Sequence, residues 1–408
     1  VTATDALSVK AAGNVTVAST VETQQGGGTY QYETNRIDRV AGLYVTNPSG
    51  DGMLSVVAGG DISLQAAQIR NAGADGLTQL AAGGTLDVGA NALEERRDAT
   101  FDERNHQRSS RTTHAATSVQ GAGDVVLAAG KDINLAAAQI KAAGGLALQA
   151  GGDINSQALV DSESRDFANA GKRSSLQVSQ RDETVRGSTL QTGDNLLLSA
   201  GRDVNLTAAL VDSNDGAVSV AAGRDVNLLS ANEMHDYSLD SYDKKKKALS
   251  STTTTRSVDA SDSYAIGTAI QGERINITAG RDLTAVGAVV DATGNVILGA
   301  GNNVLITAAE DHHSSESSER KKKSGVTGGF GNGVASVRYS SAKNSSPRAE
   351  QSTTQVGSAI ASRDGNVLIN AGNTLTIEAS DVAAGENLTL VGKEIALLAR
   401  QDTTDSQS

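Results

Sequence analysis

The sequence predicts an all-β fold, a right-handed parallel β-helix of about eleven coils with β-hairpin-like insertions from every second coil. Three observations carry this. The phrase Ala200-Gly201-Arg202-Asp203-Val204-Asn205-Leu206 returns as Ala222-Gly223-Arg224-Asp225-Val226-Asn227-Leu228, 22 residues later, and looser copies end at Leu64, Leu135, Ser156, Ala285, Ile306 and Ile377. A period near twenty residues marks a solenoid, in which each unit buries its apolar face only against its neighbours. A longer period is laid over the first, because alternate turn residues Asp61, Asp132, Asp203 and Asp282 step by 71, 71 and 79. Finally, 44 Gly, 2% aromatic residues and abundant Ala, Val and Leu suit a narrow interior lined by small aliphatic side chains.

Within the phrase, Val204 and Leu206 alternate with Asn205 and Thr207, the period of two of a strand with one buried face. The preceding Ala-Gly supplies a bend, and the Asp is expected to hold the corner as an Asx-type turn. Between Asp282 and Asn303 two more strands fit, at Ala288–Val290 and Asn295–Leu298. Three short strands and three turns per period make one coil. The turn residues Asn14, Asp61, Thr85, Asp132, Asp153, Asp203, Asp225, Asp282, Asn303, Thr374 and Glu394 number eleven. They predict a rod about 50 Å long, right-handed by the crossover rule.

Residues 1–408 read as a single repeat solenoid cut from a longer chain, since both ends fall inside a repeat. Insertions rich in Ser, Thr, Lys, Arg, Glu and His occupy approximately 22–50, 94–118, 161–188, 233–268 and 310–357, several opening on Glu or Asp. Loops of this length are functional or disordered in compact folds. Strand-like halves around polar middles, such as Ser174–Ser179 against Glu183–Leu190, suggest protruding hairpins. Leaving alternate coils at one edge, their bases would lie about 9–10 Å apart, room for two strands each, so the hairpins are expected to pair laterally into an extra antiparallel sheet. Membrane insertion is a further hypothesis; a spanning barrel needs a continuous apolar band, whereas Val326, Phe330, Val334 and Val337 are scattered among Ser and Lys.

The remaining candidates point away from chemistry. Net charge −12 argues against a general nucleic-acid binder, and no apolar run approaches a membrane span. The lack of Cys removes disulfides and thiolate metal sites and fits an exported chain. No nucleophile elbow, zinc-protease motif or phosphate loop is present, so no enzyme, catalytic residue or cofactor is expected. One Asp per coil is too sparse for a calcium β-roll. The outward Asn134, Asn155, Asn205 and Asn227 form either an amide ladder or a plain solvated face. His312 and His313 with Glu310, Asp311 and Glu316, or His106 and His114, would make poor metal sites, since neighbours on a strand face opposite ways. Lys244, Lys245, Lys246, Lys247, Lys321, Lys322 and Lys323 are the densest positive charge. They read either as contacts to an anionic surface, such as a lipid headgroup or lipopolysaccharide, or as solvated charge that blocks edge-to-edge aggregation.

Paired Ala-Gly-x-Asp-Val-x-Leu coils, interrupted every 70–80 residues or so by a Ser/Lys/Glu-rich insertion that opens with Glu or Asp, resemble the haemagglutinin repeats of filamentous haemagglutinin and of CdiA-type contact-dependent growth-inhibition exoproteins. Coils that carry insertions look more like the second repeat region, FHA-2. The resemblance covers essentially the whole chain. It implies two-partner secretion through an outer-membrane transporter and a location outside a Gram-negative cell. In the toxin-delivery branch it implies a role in carrying a C-terminal toxin across the target cell's outer membrane, with that membrane as partner and site of insertion. The adhesin branch, a stalk binding host glycan or protein, is the alternative implied by the same resemblance. A polysaccharide-active β-helix enzyme is the third reading, on the fold alone.

Overall fold

The computed structural model describes residues 1–331 and 334–407, and the side chains of all of these except 330, 331, 334 and 335. Each coil contributes one short strand to each of three parallel sheets. The first sheet begins at Thr2–Ala3 and ends at Asp381–Ala384, and the second runs from Ala6–Ala11 to Leu388–Val391; each has eleven strands. The third begins at Val15–Ala18 and ends at Glu394–Leu398. Together they form the expected parallel β-helix.

The core follows from exact register between coils. In the third sheet Val204 stacks on Val226, Leu283 and Val304, while Leu206 stacks on Leu228 and Ala285. In the second sheet Leu127, Leu148, Leu198, Val220 and Ile277 make a comparable row. All are fully or almost fully buried, and each such aliphatic side chain contributes about 1.5–3 kcal/mol by leaving water. Two hydroxyls interrupt the rows. Thr78 sits between Leu54 and Val125, and Ser156 between Leu135 and Leu206; neither has a hydrogen-bond partner among the described residues.

The corner between the second and third sheets works differently from the expected Asx turn. Asp203 Oδ1 accepts the backbone N–H of Asp225 in the next coil at 3.1 Å, and Asp225 receives that of Asp282 in turn. Arg224 and Arg281 bridge to the Asp of the coil below. The Asp thus joins coils instead of closing its own turn, because the next coil's N–H lies one strand spacing away. Gly201 is also needed for a different reason. Its φ is not positive; a Cβ there would overlap the carbonyl oxygen of Gly151 in the coil below. On the outward face, the amide alternative holds. Asn227 donates to Asn205, Asn205 to Asn155, Asn155 to Asn134 and Asn134 to Asp87, at 2.8–3.0 Å.

The third corner decides where hairpins emerge. Five coils turn directly from third to first sheet through a left-handed residue: Ala66, Ala137, Ala208, Gly287 and Ala379, with φ of 46–58°. The alternate coils extrude hairpins there, and their return is anchored by a buried hydroxyl. Thr268 Oγ1 accepts the N–H of Ala209 at 3.3 Å and lies 2.9 and 2.8 Å from the carbonyls of Leu206 and Leu229. Thr117, Ser188 and Ser358 accept the N–H of Ala67, Ala138 and Ala288 in the same way.

The hairpins are Thr20–Gly26 with Gln31–Arg39, Leu86–Asp102 with Asn105–Ala116, Leu159–Ala170 with Ser174–Arg186, Ala231–Lys247 with Ser250–Ile266, and Ala309–Gly331 with Val334–Val356. In the third, the expected pairing of Ser174–Ser179 with Glu183–Leu190 is corrected. Both segments lie on one returning strand up to Arg186, and Thr189–Thr192 already belongs to the first sheet. The turn falls earlier, at residues 171–173, closed by Gly171 N–H donating to Ser174 O at 2.7 Å.

One substitution type should move stability in opposite directions at two positions. Thr268→Val strands the Ala209 N–H and should cost about 1–3 kcal/mol, whereas Thr78→Val removes an unpartnered hydroxyl from an aliphatic row and should add about 1 kcal/mol. Thermal unfolding followed by the β-sheet circular-dichroism signal checks both signs.

Candidate interface in the hairpin sheet

Adjacent hairpins hydrogen-bond to one another along their length. Tyr32 pairs with Arg97, Arg111 with Glu163, Asp182 with His235, and Asp262 with His313, each across a seam between neighbouring hairpins. A last strand, Thr403–Gln407, adds to the fifth hairpin. The expected lateral sheet therefore exists, antiparallel throughout. It does not close on itself, since among the described residues Thr20–Gly26 pairs only with its own hairpin partner and Thr403–Gln407 only with Val334–Val356.

Both faces of this sheet meet water. Beyond the hairpin bases, only His106, Ala168 and Glu183 are buried among the described side chains. No apolar face packs on the rod, and cohesion comes from the ladder and from charge. At four seams a carboxylate caps the ladder where it ends toward the rod. Asp161 accepts the N–H of His114, Glu233 that of Val185, Asp311 that of Ala265, and Asp402 that of Gln355, all at 2.7–2.9 Å. This gives a physical reason for insertions that open on an acid.

Histidines serve the same seams. His114 Nδ1 lies 2.9 Å from Asp161, His106 Nε2 2.8 Å from Asp166 and His235 Nδ1 3.2 Å from Asp182, while His313 pairs with Asp262. In every case the Asp belongs to the adjacent hairpin. His312 turns the other way, to Thr353 of its own hairpin and toward Glu310. Among the described residues no three His, Cys, Asp or Glu side chains converge as metal ligands. Around Asp161, burial pushes the carboxyl up, but hydrogen bonds from the His114 ring, Arg186 and the His114 backbone outweigh it and hold the carboxyl below the usual range.

The seven lysines, separate runs in the sequence, come together. Lys244–Lys247 end the outgoing strand of the fourth hairpin, and Lys321–Lys323 lie on the outgoing strand of the fifth. Only the returning strand of the fourth separates them. Thr252 lies opposite both Lys245 and Lys323, and Thr253 opposite both Lys244 and Lys322. The two lysine strands are thus about 9–10 Å apart. Lys245, Lys247, Lys321 and Lys323 line one groove with Ser250, Thr252 and Thr254. Lys245 has Asp243 at 3.6 Å; none of the other six has a carboxylate within 4 Å among the described residues. The alternation of Lys strand, Ser/Thr strand, Lys strand was unreadable without the register.

A family model described as Hemagglutinin repeat matches residues 1–171, 168–261 and 247–408. The chain is similar to the deoxyribonuclease CdiA of Dickeya dadantii, 32% identical over 87% of this chain and 10% of that protein. It is also similar to the tRNA nuclease CdiA-2 of Burkholderia pseudomallei, 28% identical over 55% of this chain and 7% of that protein. A third relative is the 16S rRNA endonuclease CdiA of Enterobacter cloacae, 31% identical over 55% of this chain and 7% of that protein. The chain therefore spans a tenth or less of the length of these relatives. No solved structure matches it.

Two measurements probe the seams. Because the chain has no Cys, Ser179→Cys with Ser238→Cys, directly opposed across the third and fourth hairpins, should crosslink through a short bifunctional reagent. Ser179→Cys with Ser251→Cys should not, since Ser251 lies far out at the fourth hairpin's tip, opposite Lys246. For Asp161, the depressed carboxyl means its contribution is complete above its unfolded value of about 3.9 and is lost as pH falls through the lower folded value. Hydrogen exchange at the His114 amide, compared with Asp161→Asn, should show protection on the order of tenfold that is constant from neutral pH to about 4 and declines below.

Proposed function

This chain belongs to the Hemagglutinin repeat family, and from that premise we propose that it is a non-catalytic repeat segment of a CdiA-like exoprotein, serving contact-dependent delivery of a toxin carried elsewhere in the longer protein. One observation carries the reading. Three relatives named for cutting different substrates, tRNA, DNA and 16S rRNA, match 55–87% of this segment, and the match is a tenth or less of each relative. A part common to proteins with different activities is a carrier of those activities, not their seat. The rod with its braced sheet supports a mechanical role, and the family resemblance implies an outer-membrane secretion transporter as partner and a place outside a Gram-negative cell.

Within this reading the hairpin sheet meets the target cell's outer membrane. As it stands the sheet is polar on both faces and open at two edges, and hydrocarbon tolerates neither. Contact at the membrane surface comes first, and crossing requires the ladder to close or to gain further strands.

The deciding experiment removes one two-coil block with its hairpin from the full-length exoprotein and follows three steps separately. Secretion and attachment to target cells should persist while toxin entry falls to background. Undiminished entry overturns the delivery reading. Loss of attachment alone, with specific host-cell binding by the isolated chain, would establish the adhesin alternative, and turnover of an acidic polysaccharide would establish the enzyme.

A further inference from the structure

We propose that the outer parts of the fourth and fifth hairpins form a binding site for clustered phosphate esters presented by a glycolipid surface. This deepens the delivery reading and rests on it for the identity of the surface. The first ground is charge. The whole chain carries −12, yet residues 243–254 and 319–344 together hold ten Lys and Arg against two acids. Elsewhere Arg202, Arg224, Arg281 and Arg363 each pair with an Asp, and the lysines of the rod, such as Lys10, Lys131, Lys141 and Lys393, are exposed and stand singly in the sequence. Here six of the seven lysines have no carboxylate within reach among the described residues. An anion from outside would relieve their mutual repulsion.

Protection against aggregation does not account for the cluster. That explanation suits an unpaired edge. It covers Lys245–Lys247, which extend past the last bond to the third hairpin, from Lys244 N–H to Arg173 O at 2.8 Å. It leaves out Lys321–Lys323, which are paired on one side with Thr252–Thr254 and on the other with Ala342–Asn344. An interior strand has no edge to guard.

The donor set selects the anion. Lysines whose backbones lie about 9–10 Å apart across the groove and about 7 Å apart along each strand flank Ser250, Thr252 and Thr254. A phosphate monoester brings close to two negative charges and three acceptor oxygens, enough to take an ammonium and a hydroxyl together. Several such esters at sub-nanometre spacing would occupy both lysine pairs. A nucleic-acid strand fits less well, because it needs a continuous basic track with aromatic platforms, and inward of this patch the sheet carries Asp236, Asp240, Asp259 and Asp262.

Position selects the carrier. Lys245 and Lys323 each lie 14 residues along their strands from Ala231 and Ala309, where the hairpins leave the rod. Both therefore stand about 45 Å out. A patch held at that distance reaches a flat surface that the rod does not touch.

The test uses the 408-residue chain, phosphatidylcholine vesicles with and without lipid A (a bisphosphorylated glycolipid), and co-sedimentation at physiological salt. A groove variant carries Lys245→Gln, Lys247→Gln, Lys321→Gln and Lys323→Gln. A charge-matched control carries Lys10→Gln, Lys131→Gln, Lys141→Gln and Lys393→Gln, all exposed on the rod. Circular dichroism confirms that both remain β-folded. Binding should require lipid A, fall on the order of a hundredfold in the groove variant and persist in the control. No lipid A-dependent binding, equal loss in both variants, undiminished binding to dephosphorylated lipid A, or competition by inorganic phosphate or single-stranded RNA as effective as by lipid A overturns the proposal. Introduced into the full-length exoprotein, the groove variant separates the two readings. Normal toxin entry, where deleting the hairpin block abolishes it, refutes the phosphate site and leaves delivery standing.

Discussion

Everything in this molecule is subordinate to one requirement, that successive coils approach to the spacing of hydrogen-bonded strands along their entire contour. Strands satisfy it automatically, but corners do not. Gly201 gives the backbone below room to approach, Asp203 accepts the N–H that the next coil brings, and Ala208 takes a left-handed φ so that the chain turns within two residues. Where a coil lacks one of these devices the ladder is interrupted. Thr85 donates its N–H to the Asp61 carboxylate, yet has no carboxylate to offer Asp132. Side-chain packing then follows register, like on like, and a narrow aliphatic core needs no aromatic residue.

Rod and sheet are held together by unlike physics. The rod excludes water and gains from each aliphatic side chain it buries. The hairpin sheet has no interior, so its energy lies in the backbone ladder, in Asp and Glu caps at the seams and in ion pairs such as Arg165 with Glu163. Exposed pairs of this kind are weak singly, and the sheet depends on their number and on being rooted in the rod by Thr117, Ser188, Thr268 and Ser358.

The rod was legible because its signal is periodic, and a period survives ignorance of contacts. The lateral sheet was legible from arithmetic alone, since hairpins spaced by two coils leave two strand positions each. What escaped depended on which residue faces which. The partner of Asp203 lies 22 positions away and looks local until the coils are stacked. The hydroxyl anchors are single residues inside short Gly-Ser, Gly-Thr or Ala-Thr pairs. The third hairpin's turn was misplaced because polar residues alternate on both sides of it, so periodicity does not mark it; Gly171-Lys172-Arg173 does so only in retrospect. The lysines were visible as composition, but their convergence across Thr252–Thr254 is a property of register.

Hairpins at twice the coil spacing also fix how such a protein can change length. Adding or losing a single coil would open a gap of about 4.8 Å in the hairpin ladder and place two direct corners, or two hairpins, in succession. The smallest heritable step that leaves both lattices in phase is a pair of coils with its hairpin, some 70–80 residues. Duplication and deletion in a lineage of these proteins are therefore quantised, and the chain can be lengthened indefinitely in whole blocks but hardly at all by fractions of one.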